Sequence, residues 1–286
     1  MTDGNEPARG PAGPAAEPIE PAELLELAVS LARPAGALAL GLREHGLTVG
    51  TKSSATDVVT DADRAVEQLL RTELAARRPA DAVLGEEAGA GGQAGARVRW
   101  LIDPIDGTVN FLLGLPQFAV SIAAQLDGET VAGCVLNPVS GELFHAVRGG
   151  GAYLNDRRLT GPRAVPLAEA VLATGLGYDQ AVRARQARLL ADVLARVGNL
   201  RRLGSAALDL CFLAAGRLDL YYEGPLGEWD YAAGLLIAQE AGAATSGLAG
   251  RSAGSWLVAA AHPAVAAEFF ALLEELGLAE EAADDG

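Results

Sequence analysis

Apolar residues recur at helical spacing from Ile19, with Leu24, Leu27, Ala28 and Leu31 on one face and Pro21 in the first turn. Pro34 deletes a backbone donor inside this pattern. The helix is therefore expected to kink or divide there, resume through Leu38 and Leu42, and stop near His45-Gly46. A second helix carries Val66, Leu69, Leu70 and Leu74 on its apolar face, takes Asp61 or Asp63 as its cap, and ends at Arg77-Arg78-Pro79. Strand signals follow. Val83-Leu84 forms a short strand, and Trp100-Leu101-Ile102 a buried one that should stop where Pro104 removes a ladder donor. Between them the Gly-rich stretch 88–95 reads as a mobile loop. Residues 118–125, 130–136 and 142–147 read as strands joined by hairpin turns at Asp127-Gly128 and Ser140-Gly141. Arg148-Gly149-Gly150-Gly151 lacks both the G-x-G-x-x-G spacing and a following helix, so it is a turn between antiparallel strands. The first half is two helices on an antiparallel sheet.

The second half alternates strand and helix. Strand-like runs at 171–175, 200–203, 218–223 and 256–260 are separated by a helix from Asp179 to about Arg196, one opening at Gly204-Ser205, and one near Asp230. A terminal helix covers 263–276. Such alternation predicts a small, largely parallel or mixed α/β layer. Residues 1–18, rich in Pro, Ala, Gly and Glu, read as a disordered tail, and 279–286 as a frayed acidic one. The chain divides accordingly into an α+β half at 19–160 and an α/β half at 161–278.

Composition narrows the classes. At 286 residues the chain can bury a large core. Half the residues are hydrophobic, yet no uninterrupted apolar run reads as a bilayer span, and the first residues lack the basic start and apolar core of a secretory signal. Two cysteines, Cys134 and Cys211, are too few for a disulfide framework, so the cytoplasm is the default compartment. A net charge of −15 argues against a nucleic-acid groove. His45, His145 and His262 have no H-E-x-x-H or Cys-x-x-Cys company, and no G-x-S-x-G elbow or Walker A loop occurs.

Candidate chemistry concentrates in Trp100-Leu101-Ile102-Asp103-Pro104-Ile105-Asp106-Gly107-Thr108-Val109-Asn110-Phe111. Pro104 stiffens the turn, so Asp103 and Asp106 can converge on a hard cation while the Gly107 and Thr108 amides form an anion cradle. Taken alone, D-P-x-D-G is equally compatible with an acid-rich surface turn. All-oxygen ligands favour Mg²⁺ or Mn²⁺.

This twelve-residue run resembles the first metal-binding signature of the inositol monophosphatase family, the Mg-dependent, lithium-sensitive phosphomonoesterases. Three more segments resemble the family in the same order. Lys52-Ser53 through Asp57-Val58-Val59-Thr60 to Asp63 resembles its K-S-x-x-D-x-V-T-x-x-D segment. Gly85-Glu86-Glu87 resembles its metal-binding G-E-E. Trp229-Asp230-Tyr231-Ala232-Ala233-Gly234 through Glu240-Ala241-Gly242 resembles its second signature. Ser205-Ala206-Ala207 and Tyr221-Tyr222-Glu223 match where relatives touch substrate hydroxyls. Two departures stand out. Glu228, in a segment that varies with substrate, puts an extra carboxylate near the pocket, and 243–247 lack the Gly and Asp common in relatives.

The resemblance, with the patterning, implies a layered α+β / α/β sandwich (αβαβα). It implies one Mg²⁺ held by Glu86, Asp103 and the Ile105 carbonyl, a second held by Asp103, Asp106 and Asp230, and room for a third near Glu86. Thr108, backed by Asp63, orients the attacking water; with Glu86 and Asp103 these form the catalytic set. Gly107, Thr108, Ala206, Glu223 and Asp230 bind substrate. Glu87 stands behind Glu86, and Lys52 lies near the metal or phosphate, or is simply an exposed cation. The substrate is a small phosphorylated polyol, first of all inositol-1-phosphate. Histidinol phosphate, a sugar bisphosphate and a nucleotide 3′-phosphate are alternatives, as is a regulatory role beside the transcription machinery. A homodimer is also implied, with no membrane and no nucleic-acid partner.

Overall fold

The computed structural model describes residues 18–45, 48–51 and 58–278. The expected tails, apart from residue 18, and Lys52 lie outside these residues. In chain order, α1 spans Pro21–His45. The short strands β1 (Val49–Thr51) and β2 (Val58–Thr60) pair antiparallel and lead into α2 (Asp61–Arg77). Next come β3 (Ala82–Gly85), β4 (Gly89–Gly92), β5 (Val98–Asp106) and the short α3 (Thr108–Leu112). Five strands follow: β6 (Ala119–Leu126), β7 (Glu129–Asn137), β8 (Glu142–Val147), β9 (Gly151–Leu154) and β10 (Arg157–Arg158). They complete an eight-stranded sheet of order β10-β9-β8-β7-β6-β5-β3-β4, antiparallel except where β3 lies beside β5. The rest of the chain forms β11 (Val171–Thr174), α4 (Gln180–Leu194), β12 (Asn199–Arg201) and α5 (Ala206–Ala214). After these come β13 (Leu220–Glu223), α6 (Glu228–Glu240), β14 (Ala244–Ser246), β15 (Val258–Ala261) and α7 (Pro263–Glu275). The second sheet runs β12-β11-β13-β15-β14, with β11 parallel to both its neighbours and the remaining pairs antiparallel.

Alternation along the strands builds the layers. Trp100, Ile102, Val120 and Ile122 face one way and pack with Leu24, Leu31, Val66 and Leu70 of α1 and α2. Leu101, Ala119, Ala123 and Val135 face the other way, toward Leu208, Cys211, Ala233 and Ile237 of α5 and α6. Those two helices also meet Ala173, Tyr221, Val258 and Ala260 of the second sheet through Leu210, Leu213 and Leu235. Leu172, Leu220 and Ala259 then turn outward to Val193 of α4 and Phe269 and Leu272 of α7. The result is the expected αβαβα sandwich. The central helices sit close: a side chain on Gly234 would come within 2.9 Å of Leu210 Cβ, and one on Gly133 within 3.0 Å of Ala233 Cα.

Several local expectations are corrected. Pro34 does not divide α1, which is one helix of 25 residues. Leu31, Ala32, Ala35, Gly36 and Ala39 are all buried around it, and that packing outweighs one missing hydrogen bond. By length and composition α1 is also apolar enough to cross a membrane, contrary to the sequence reading. In this fold its buried face belongs to the core above the eight-stranded sheet. The cap of α2 is neither Asp61 nor Asp63 but Thr60, with Asp63 as the reciprocal partner of a capping box. The stretch from 88 to 95 is not simply a loop: Gly89–Gly92 pairs in register with β3. Arg71 Nη2 donates to the Gly89 carbonyl, and the left-handed Gly92 leaves no room for a side chain beside the Asp81 carbonyl. Finally, β5 continues past Pro104 to Asp106, since the pairing with β6 absorbs the proline in an irregularity between Asp103 and Asp106.

Candidate active site

The irregular end of β5 is the foundation. Asp103 lies opposite Ser121 and Asp106 opposite Ala119, so β5 carries one more residue than β6 over this interval. The Ile105 amide donates to Asp103 Oδ1 at 3.0 Å, folding the turn back on its first acid. Asp106 reaches the other half of the chain, where its Oδ2 accepts from Ser205 Oγ at 2.6 Å and from the Ala207 amide at 2.8 Å. It thereby satisfies the first turn of α5, where a negative charge is favoured. Gly107 follows with φ +96°, squeezed between the Gln117 and Gly204 carbonyls at 3.0 Å from an added Cβ, so only glycine fits. Asn110 Nδ2 ties this turn to the Gln117 and Leu203 carbonyls, both at 2.7 Å.

Thr108 Oγ1 stands 3.2 Å from Asp63 Oδ1 and 3.2 Å from the Ile105 carbonyl. Asp63 is fully buried, and its other oxygen accepts from the Thr60 amide at 2.8 Å and from Thr60 Oγ1. The capping box thus fixes Asp63 behind Thr108. Glu86 leaves the end of β3, its amide donating to the Ile102 carbonyl at 3.3 Å. Beneath it, the buried Glu67 accepts from the amides of Glu87 at 2.8 Å and Ala88 at 3.0 Å and pairs with Arg71 at 2.7 Å. Asp230 sits in the first turn of α6, accepting from the Gly227 amide at 2.7 Å. Glu223 ends β13 and accepts from the Tyr221 hydroxyl at 3.1 Å. A side chain on Gly175 would strike the Glu223 carboxylate, so glycine there gives that acid its place.

One cleft of about 430 Å³ is lined by Glu86, Asp103, Ile105, Asp106, Gly107, Thr108, Ala206, Glu223 and Asp230. Every residue expected to bind metal or substrate lines it, and Asp63 stands behind Thr108. The acids disfavour one another. Burial pushes Asp106 up to about 6, against the hydrogen bonds from Ser205 and the α5 amides. Burial and the charge of Asp106 push Glu223 up to about 7. Burial, then Glu86 and Asp106, hold Asp230 well above the usual carboxylate range. Arg202, which also lines the cleft, opposes the shifts at Asp106 and Glu223.

Glu228 corrects an expectation: it is salt-bridged to Arg99 and does not line the cleft. Other residues of the site carry no sequence signal of their own. Glu67, Gly175 and Arg202 are among them, as is Asp209. Asp209 is buried without a hydrogen-bond partner, and burial, Glu223 and Asp106 raise it well above its usual range. Ser205, by contrast, is readable both as the opening residue of α5 and in the Ser205-Ala206-Ala207 match.

Among the described residues, no three histidine, cysteine or acidic side chains are drawn together tightly enough to hold an ion as placed. The donor set nonetheless suits a hard divalent cation: carboxylates of Glu86, Asp103, Asp106 and Asp230 and the Ile105 carbonyl open on one cleft, where burial already raises the proton affinity of Asp106 and Asp230. Such an arrangement suits phosphate ester hydrolysis.

The model of the inositol monophosphatase family matches residues 20–279. An inositol-1-monophosphatase of Mycobacterium bovis is 46% identical over 272 residues, covering 88% of this chain and 94% of its own. A protein of Pasteurella multocida named Nus factor SuhB is 41% identical over 221 residues, covering 77% and 83% respectively. Among solved structures, the extragenic suppressor protein suhB of Bartonella henselae superposes with a TM-score of 0.83 at 36% identity, covering 88% of this chain and 99% of that one. The chain belongs to the inositol monophosphatase family. It is a phosphatase of that superfamily, whose members are generally metal-dependent.

Proposed function

We propose that the protein is a Mg²⁺-dependent phosphomonoesterase acting on inositol-1-phosphate. The observation that carries this reading is the shared cleft: Glu86 after β3, Asp103 and Asp106 at the end of β5, and Asp230 in α6 line it together with Thr108, behind which stands the buried Asp63. Glu86, Asp103 and the Ile105 carbonyl would hold one cation, and Asp103, Asp106 and Asp230 a second, with Mn²⁺ as a substitute and room for a third near Glu86. When bound, the ions supply an activated water and charge neutralisation at the phosphate and the leaving oxygen.

The chain's own residues do the rest. The Gly107 and Thr108 amides bind phosphate oxygens, and the rigid turn around Gly107 keeps them in position without reorganisation. Thr108 accepts a proton from the attacking water while its own hydroxyl proton moves toward Asp63, which burial and the capping box hold in place. Water so oriented attacks phosphorus in line, with no phosphoenzyme. Ala206, Glu223 and Asp230 receive the hydroxyls of the leaving polyol.

The relatives named inositol-1-monophosphatase support that substrate over histidinol phosphate, a sugar bisphosphate or a nucleotide 3′-phosphate. In the same reading the enzyme is a cytoplasmic, lithium-sensitive homodimer. The exposed Leu113, Leu115 and Val139 support a contact between copies. Phosphate release from a panel of these esters, with and without Mg²⁺, tests the reading. Inositol-1-phosphate should give the highest kcat/KM, and turnover independent of Mg²⁺ would overturn it. A second reading follows from the relative named Nus factor SuhB: a regulatory protein contact independent of catalysis. Capture of transcription components that survives Asp106→Asn supports that role, and loss of capture in a folded Asp106→Asn protein removes it.

A further inference from the structure

The cleft continues past Glu223. A second cavity of about 300 Å³ shares Gly175, Leu176, Val182, Glu223 and the 224–226 segment with it, so the two spaces meet along a common wall. Gln186 frames this passage. Its Oε1 accepts from the Gly177 amide at 2.7 Å, and its Nε2 donates to the Gly224 carbonyl at 2.8 Å, so its amide is already committed to protein partners. Past that frame the lining is mainly apolar, with Leu189 of α4, Tyr222 of β13, Trp256, Leu257 and Leu278, and Thr174, Arg185 and Ser255 as its polar members. Tyr222 and Leu257 are buried, and Leu189 is partly buried in the same outer core cluster.

A bare polyol does not suit such a chamber. Its hydroxyls would be stripped of water against leucine and aromatic faces, with the nearby amide already engaged. A hydrocarbon group would gain by entering it. The direction is set by the cleft, because phosphate at Gly107 and Thr108 puts the leaving alcohol over Ala206 and Glu223, and whatever that alcohol carries further meets the chamber.

We propose that this chamber is a subsite for a hydrophobic group, alkyl or aryl, carried by the leaving alcohol, so that the enzyme also hydrolyses phosphomonoesters of amphiphilic alcohols. The proposal rests on the phosphatase reading for its chemistry and on the cavity for its specificity. The reaction is the same hydrolysis: water's oxygen forms the new bond to phosphorus, the phosphorus–alkoxide bond breaks, and the alkoxide leaves as the alcohol with one proton.

A series of n-alkyl phosphates from ethyl to octyl, assayed with Mg²⁺, tests it. In the wild type kcat/KM should rise about three- to fourfold per methylene until the chamber is full. Leu189→Trp, which fills the space without touching the catalytic cleft, should flatten the rise and leave ethyl phosphate turnover unchanged. Leu189→Ala, a milder change, should move the plateau to longer chains. A flat wild-type profile, or a rise that both variants leave intact, would overturn the proposal. Calorimetric binding of 1-hexanol keeps the two readings apart. Saturable binding that Leu189→Trp abolishes supports the chamber even where no ester is hydrolysed, and absence of saturable binding refutes it whatever the turnover.

Discussion

Replacing Asp63 with Asn removes one charge and keeps nearly the same shape. The native carboxylate accepts from the Thr60 amide, from the Thr60 hydroxyl, and from Thr108 Oγ1 at 3.2 Å. An Asn side chain can keep its oxygen toward Thr60 but must turn its amide toward Thr108, whose hydroxyl then donates to the Ile105 carbonyl instead. Charge-assisted hydrogen bonds contribute roughly 1 kcal/mol more than neutral ones, so the stability loss should be about 1–2 kcal/mol, or a few degrees in Tm. Activity should suffer far more. With no group behind Thr108 to take a proton, kcat should fall about a hundredfold or more, equivalent to about 2.7 kcal/mol of barrier. Thr60→Ala serves as the control: it loses the same helix cap, about 1 kcal/mol, while leaving the pair between Asp63 and Thr108. Thermal unfolding and steady-state kinetics on the two variants decide the matter. Equal kcat losses in both would make Asp63 a capping-box partner of Thr60 and nothing more, and near wild-type kcat in Asp63→Asn would refute the role of the pair outright.

Glu67→Ala leaves Arg71 Nε and the amides of Glu87 and Ala88 without their acceptor. Chemical denaturation should show a loss of about 3 kcal/mol, and the Mg²⁺ concentration for half activity should rise about tenfold as Glu86 loses its support. Gly175→Ala would bring a methyl group onto the Glu223 carboxylate, so that acid must move. A rise in KM for polyol phosphates, with 1–3 kcal/mol of destabilisation, is the expected result. The metal-free protein should become more stable as pH falls from about 7 toward 4. Asp106 at about 6, Glu223 at about 7 and the raised Asp230 all bind protons in the folded state above their unfolded values of about 4, so the folded state takes up more protons in that window. Glu142, Asp127 and Asp179, which are lowered, act in the opposite sense as pH falls below about 5. Thermal melts should show this trend in chelator and its suppression by Mg²⁺; a rise in stability with pH in chelator would contradict it.

Much of the site is legible because it is local. The Asp103-Pro104-Ile105-Asp106-Gly107-Thr108 turn contains its own stiffness, its acids and its glycine, and hairpins such as the one at Asp127-Gly128 are written in adjacent residues. What escapes is what depends on approach between segments. Glu67 looks like an ordinary polar position on α2 until the amides of Glu87 and Ala88 arrive to be capped. Gly175 looks like the end of a strand until Glu223 occupies the space its side chain would fill. Glu228 looks like a pocket acid until Arg99 is brought beside it. Pro34 and the Gly89–Gly92 strand mislead for a related reason: one missing donor and four flexible residues are weak local signals, which burial and strand pairing overrule.

The most direct measurement of the central claim is anomalous diffraction from Mn²⁺-soaked crystals of the active enzyme. The account predicts manganese peaks between Glu86, Asp103 and the Ile105 carbonyl and between Asp103, Asp106 and Asp230, with the acids drawn onto the ions. An active enzyme whose four acids stay apart with no peak among them would contradict it.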